Sequence, residues 1–150
     1  NGEAIALFSD CGMPVLFDPG KDILDEAIKL DFLIRCYAGP TSFGTACVLS
    51  RFSPPFLVYG FLPQETDART RELKTLSQRK EAIVLLETPY RFKKLVEECL
   101  SYFSPKTKVF LAWEISTPTE KYFWTTIAEL KKIAERNALT KGEFVVVLKN

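Results

Sequence analysis

A series of short apolar runs, each bounded by Gly, Pro or charged residues, limits what this chain can become. The runs are "AIALF" (4–8), "FLIRCY" (32–37), "FLVYG" (56–60), "EAIVLLE" (81–87), "KVFLAWEI" (108–115), "EKYFWTT" (120–126) and "GEFVVVLK" (142–149). Runs of this length suit strands better than helices. Helical spacing fills the gaps between them. In "KDILDEAIKL" (21–30), Ile23, Leu24, Ala27, Ile28 and Leu30 fall at helical spacing. Asp22, Asp25 and Glu26 lie in its first half, where a helix favours negative charge. Further helices are expected at about 41–50, at 67–80 ("DARTRELKTLSQRK", charged and solvated), at 89–103 behind Pro89, and in "TTIAELKKIAERNA".

This order predicts an α/β fold. Residues 1–50 read β-loop-α-β-loop-α, the grammar of a doubly wound parallel sheet. The later runs are more varied: "EKYFWTT" alternates as an antiparallel strand would, and "GEFVVVLK" suits a central strand. Pro54, Pro55, Gly60 and Pro63 mark a shift in composition. The expected architecture is the C-terminal part of a mainly parallel first domain (1–60), followed by a mixed-sheet α/β domain (61–150). The start, Asn1-Gly2-Glu3 running straight into a strand, suggests that an upstream part is missing.

Charge and cysteine usage narrow the function. Lys+Arg number 20 against 19 Asp+Glu, which gives no support for strong phosphate binding but leaves room for a local basic patch. Cys11, Cys36, Cys47 and Cys99 show no C-x-x-C spacing, and histidine is absent, so no metal site is expected. Cys36 and Cys47 sit in apolar surroundings and read as core residues. With no secretory signal and no uncharged apolar run of membrane-spanning length, reduced thiols and a cytoplasmic, non-membrane protein are expected.

The first run ends in Ser9-Asp10-Cys11-Gly12-Met13-Pro14, and Asp18-Pro19-Gly20 follows. In open α/β sheets ligands bind beyond the carboxyl ends of strands, where small residues let backbone come close. Each motif alone also reads as an ordinary turn. Gly39-Pro40-Thr41-Ser42 can bring helix N-terminal N–H groups to a ligand, without the spacing of a dinucleotide fingerprint or P-loop.

Taken in order, "SDCGMP" (9–14), "DPG" (18–20), "CYAGP" (36–40), "GFLP" (60–63), "LETPYR" (86–91), "AWEIST" (112–117) and "KGEF" (141–144) resemble the tetrapyrrole methylase-like (class III) S-adenosylmethionine-dependent methyltransferases. The series is most similar to the branch that methylates a cytidine ribose 2′-hydroxyl in small-subunit ribosomal RNA. The resemblance implies two α/β domains with S-adenosylmethionine in the cleft between them. By motif position it implies that Ser9, Asp10, Cys11, Gly12, Gly39, Pro40, Thr41 and Ser42 line the cofactor site. It likewise assigns Glu87 and Arg91 to the cleft wall, Glu114 to a second-domain element and Lys141, Gly142 and Glu143 to the last loop. The partner implied is ribosomal RNA or the small ribosomal subunit.

Methyl transfer to a ribose hydroxyl needs donor and acceptor held in line and a group to take the hydroxyl proton. The candidates are Glu87, Glu114 and Glu143, with Glu87 and Glu114 the assigned catalytic pair and Arg91 and Lys141 the substrate contacts. Each carboxylate also reads as the structural partner of Arg91, Lys121 or Lys141. The family's His, Arg, Lys and Thr are replaced here by Tyr90, Trp113, Thr117 and Met13. These losses of polarity keep two alternatives open: a methylase of a corrin-like small molecule, and a non-catalytic scaffold that retains the fold. An incomplete parallel sheet would leave an open strand edge, so a homodimer is expected. The aromatics Phe56, Tyr59, Phe61, Trp113, Tyr122, Phe123 and Trp124 are expected mostly in the core of the second domain.

Overall fold

Alternation of side chains along the strands decides which side of the sheet each helix covers. The computed structural model describes residues 4–9 and 12–150. The chain forms α1 (Lys21–Lys29), α2 (Ser42–Ser50), β1 (Phe56–Phe61), α3 (Thr66–Leu76), β2 (Ala82–Leu86), a 3₁₀ turn (Pro89–Arg91), α4 (Phe92–Tyr102), β3 (Lys108–Trp113), β4 (Lys121–Thr126), α5 (Ile127–Arg136) and β5 (Phe144–Lys149). It divides into two units, residues 1–42 and 43–150.

The second unit is built on one mixed sheet of order β1-β2-β5-β3-β4. β1 and β2 are parallel, while β5 is antiparallel to β2 and β3, and β4 is antiparallel to β3. β5 is therefore central, as "GEFVVVLK" implied, and β4 is the antiparallel strand expected of "EKYFWTT". Ile83, Leu85, Val109, Leu111, Val146 and Leu148 face one way, against Leu73 and Leu76 of α3, Leu95 and Cys99 of α4, and Ile127 and Leu130 of α5. Ala82, Val84, Phe110, Ala112, Val145 and Val147 face the other way, where Ala46 of α2 packs with Phe43, Cys47 and Leu49. Full burial stabilises each such large side chain by about 1.5–3 kcal/mol. Trp124 Nε1 donates to the Leu49 carbonyl at 2.9 Å, tying the end of α2 to β4.

The segment 67–80, expected as a charged, solvated helix, forms a helix that buries Arg69, Leu73 and Leu76 on α3. Their spacing of four and three places them on one face, and the charges around them hid that stripe. Among the aromatics, Trp113 is buried, while Trp124 and Phe61 are about half exposed. The boundary expected at 60/61 falls inside β1, which pairs with β2 from Phe56 to Phe61. Pro54, Pro55 and Pro63 bracket a strand there, and Gly60 (φ 82°) sits at its register shift.

In the first unit, α1 forms where its periodicity places it, with an ion pair between Lys21 and Asp25 and another between Lys29 and Glu26. Gly20 is required before it: φ is 122°, and a Cβ would stand 2.9 Å from Leu7 Cδ2. The runs 4–8 and 32–37, expected as parallel strands, carry no ladder among the described residues. A strand needs a hydrogen-bonded neighbour, and apolar composition does not supply one. Phe8 and Leu33 are accordingly exposed at 85% and 82%. Cys36, expected in a core, is exposed with its run, whereas Cys47 is half-buried and Cys99 fully buried. Among the described residues no helix is long and apolar enough to cross a membrane.

Candidate active site

The sheet register gathers the second-unit candidates at one end. Phe61 pairs with Leu86, Leu86 with Val145, and Trp113 with both Phe144 and Lys121. The carboxyl ends of β1, β2 and β3 therefore share this end with the amino ends of β4 and β5. Glu87, Arg91, Glu114, Lys141 and Glu143 all lie on the connections that leave or enter it.

Glu87 is committed to the protein itself. It is 5% exposed, and its Oε2 accepts from Arg69 Nη2 at 2.8 Å while its Oε1 accepts from the Thr88 N–H at 2.8 Å. Arg69, 2% exposed, also donates to both oxygens of Glu98 and to the Pro63 carbonyl. Burial works against the Arg69 charge, but the hydrogen bonds to Glu98 and Glu87 outweigh it, and its pKa lies above the usual guanidinium value. The partners expected for Glu87 were cations near the strand ends. The actual partner is a helix residue 18 positions upstream. Arg69 went unassigned in the sequence; its signal was its register with Leu73 and Leu76.

Glu114 follows β3 with φ 53°, an unusual conformation for a residue with a side chain. Its N–H donates to the Glu143 carbonyl at 2.7 Å, and its Oε1 accepts from the Glu143 N–H at 2.6 Å. Its carbonyl accepts from the Thr117 N–H and hydroxyl. Gly142 makes this closure possible, since a Cβ there would lie 2.5 Å from both Glu114 Oε1 and Trp113 Cζ2. Glu114 thus holds the backbone of the last loop rather than pairing with Lys121 or Lys141. That loop carries Lys141, whose ammonium lies 4.5 Å from the centroid of the Tyr90 ring. Arg91 is half-buried in the 3₁₀ turn.

In the first unit, Ser9 is half-buried, while Gly12, Gly39 and Pro40 are exposed. Gly12 has φ 76°, and a Cβ at Gly12 or Gly39 would meet nothing within 4 Å. Thr41 and Ser42 lead into α2. Asp10 and Cys11 lie outside the described residues. A separate groove of about 320 Å³ lies between α4 and α5, lined by Val96, Lys131, Ala134 and Leu139 among others, and holds none of the expected site residues.

Comparison with known proteins decides the family. The model for Tetrapyrrole (Corrin/Porphyrin) Methylases matches residues 1–131. The chain belongs to the tetrapyrrole methylase family. The chain is 33% identical over 147 residues to Ribosomal RNA small subunit methyltransferase I of Mycoplasmopsis pulmonis, covering 98% of this chain and 65% of that protein. It is 29% identical over 149 residues to the protein of the same name from Bacillus subtilis, covering 99% of this chain and 50% of that one. The chain spans between half and two thirds of the length of these relatives. A crystal structure of a Thermus thermophilus uroporphyrin-III C-methyltransferase, complexed with S-adenosylhomocysteine, superposes with a TM-score of 0.58 at 18% identity, covering 93% of this chain and 63% of that one. That likeness establishes the shared fold. The family expected from the ordered motifs is thus the one found, and the mixed α/β architecture agrees with it.

Proposed function

We propose that this chain is part of an S-adenosylmethionine-dependent methyltransferase acting on a ribose 2′-hydroxyl of small-subunit ribosomal RNA. The observation that carries the reading is the similarity, over nearly the whole chain, to relatives named for methylation of that RNA. Gly12 and Gly39 stand on exposed backbone without side chains, which allows the close approach a nucleoside cofactor needs. Ser9, Asp10, Cys11, Gly12, Gly39, Pro40, Thr41 and Ser42 would hold it, and it supplies a methyl carbon already activated by a sulfonium.

The chain's own residues do the rest. Orientation is the main demand, and it contributes several kcal/mol in reactions of this kind. Glu87, bound to Arg69, fixes the 3₁₀ turn that carries Arg91. Glu114 fixes the loop that carries Lys141 and Glu143. With both of those carboxylates engaged, the exposed carboxylate of Glu143 is the better group to take the hydroxyl proton, and Glu87 and Glu114 act as positioning residues. Arg91 and Lys141 contact the RNA. The same reading gives a cytoplasmic protein that meets the small ribosomal subunit and pairs with a second copy.

The test uses the full-length gene product containing this chain. Calorimetry is expected to detect S-adenosylmethionine binding, and radiolabelled methyl groups are expected in small-subunit RNA as an alkali-resistant ribose modification. Absence of binding, or label appearing only in a tetrapyrrole, overturns the reading.

A further inference from the structure

Tyr90 is 76% exposed although the turn that carries it is anchored by hydrogen bonds at its start and its close. Pro89 opens the turn, the Arg91 N–H closes it on the Thr88 carbonyl at 3.0 Å, and buried Glu87 locks its root to Arg69. The Lys141 ammonium is held over the ring from a second loop, itself clamped by Glu114 and by the close approach at Gly142. Packing within the fold does not require this arrangement, since the ring stays in solvent. Rigid exposed aromatic rings flanked by cations are what single-stranded nucleic acids use: bases stack on the ring, and the cations track the phosphates.

We propose that Tyr90 is a stacking platform for an unpaired nucleobase of the RNA substrate, with Lys141 and Arg91 neutralising the flanking phosphates. This rests on the ribosomal RNA reading above and adds to it a specific contact. Lys141 covers one face of the ring, and the remaining exposed surface receives the base. The chain's net charge of +1 is consistent with affinity that comes from local stacking more than from a broad basic surface.

The experiment measures binding of the full-length gene product containing this chain to a short fluorescein-labelled single-stranded RNA by anisotropy across a salt series. Tyr90→Ala is expected to weaken binding by about fivefold to tenfold, within the range for loss of one stacked base. Tyr90→Phe and Tyr90→Trp, which keep a ring, are expected to stay within about twofold of the parent. Lys141→Gln is expected to reduce the salt slope by about 0.7, and Lys132→Gln, on the exposed surface of α5, to leave it unchanged. Thermal melts of each variant exclude unfolding as the cause, because Tyr90 contributes almost nothing to the core. Equal affinity of Tyr90→Ala and parent, or RNA binding absent in the parent, overturns the proposal. So does a Tyr90-dependent affinity for a carboxylated tetrapyrrole in place of RNA. If methyl transfer to ribosomal RNA by the full-length protein persists while RNA affinity ignores Tyr90, the platform falls and the methyltransferase reading stands.

Discussion

Glu114 and Glu143 grip each other reciprocally. The Glu114 N–H donates to the Glu143 carbonyl at 2.7 Å, and the Glu114 carboxylate accepts the Glu143 N–H at 2.6 Å. One side chain therefore closes the loop between α5 and β5 onto the end of β3, and sets where Lys141 and Glu143 stand.

Removing that acceptor loosens the loop. Glu114→Ala is expected to cost about 1–3 kcal/mol, the range for stranding a hydrogen-bonded donor, and Glu114→Gln distinctly less. Urea denaturation measures both. An alanine variant as stable as the parent would show that the pair contributes nothing.

Gly142 probes the same closure from the other side. Gly142→Ala drives a methyl group into Glu114 Oε1 and Trp113 Cζ2, each 2.5 Å from its position, and is expected to cost about 1–3 kcal/mol. The clash also pushes the loop outward, so the contact between Lys141 and Tyr90 is lost. Tyrosine fluorescence is unsuited to a chain with two tryptophans, so hydrogen exchange over residues 140–144 is the readout. Unchanged exchange there would refute the closure.

The buried cluster of Arg69, Glu87 and Glu98 behaves as a unit. Arg69→Met leaves Glu87 buried without its counter-charge and is expected to destabilise by about 3–5 kcal/mol. Combining it with Glu87→Gln is expected to recover part of the loss. A double variant that simply sums the two single losses would show that the residues do not interact.

Glu65 gives the fold an acid-sensitive point. Its carboxylate accepts the N–H groups of Asp67 and Ala68 at the start of α3, and these bonds hold its pKa below the ordinary 4.5. A depressed carboxylate pKa stabilises the fold fully above the unfolded value and loses that contribution as pH falls through the folded one. The stability difference between the parent and Glu65→Gln is therefore expected to be constant above about pH 5 and to shrink below pH 4.5. A difference that persists unchanged to pH 3 would contradict the cap.

Thiol chemistry separates the cysteines. Burial pushes the Cys99 thiol to about 12, whereas Cys36 is exposed. A thiol-specific reagent at pH 8 is expected to label Cys36 in the native state and Cys99 only after denaturation, as read by peptide mass mapping. Rapid native labelling of Cys99 would mean that α4 opens far more readily than its packing implies.

Element identity in the second unit was largely local information. Residues 82–86 and 144–149 are apolar over short lengths bounded by charge or Gly, and α5 has one apolar stripe; patterns of period two and 3.6 need only neighbouring residues to be read. The order of the motifs was enough to place the chain in its family. Pairings over distance were not readable in this way. That Glu87 would find Arg69, and that Glu114 would hold a backbone amide 29 positions away, follows from how α3 and the last loop come to rest on the sheet. The runs 4–8 and 32–37 mark the same limit: hydrophobic composition makes a strand possible, but only a partner at hydrogen-bonding distance makes it one.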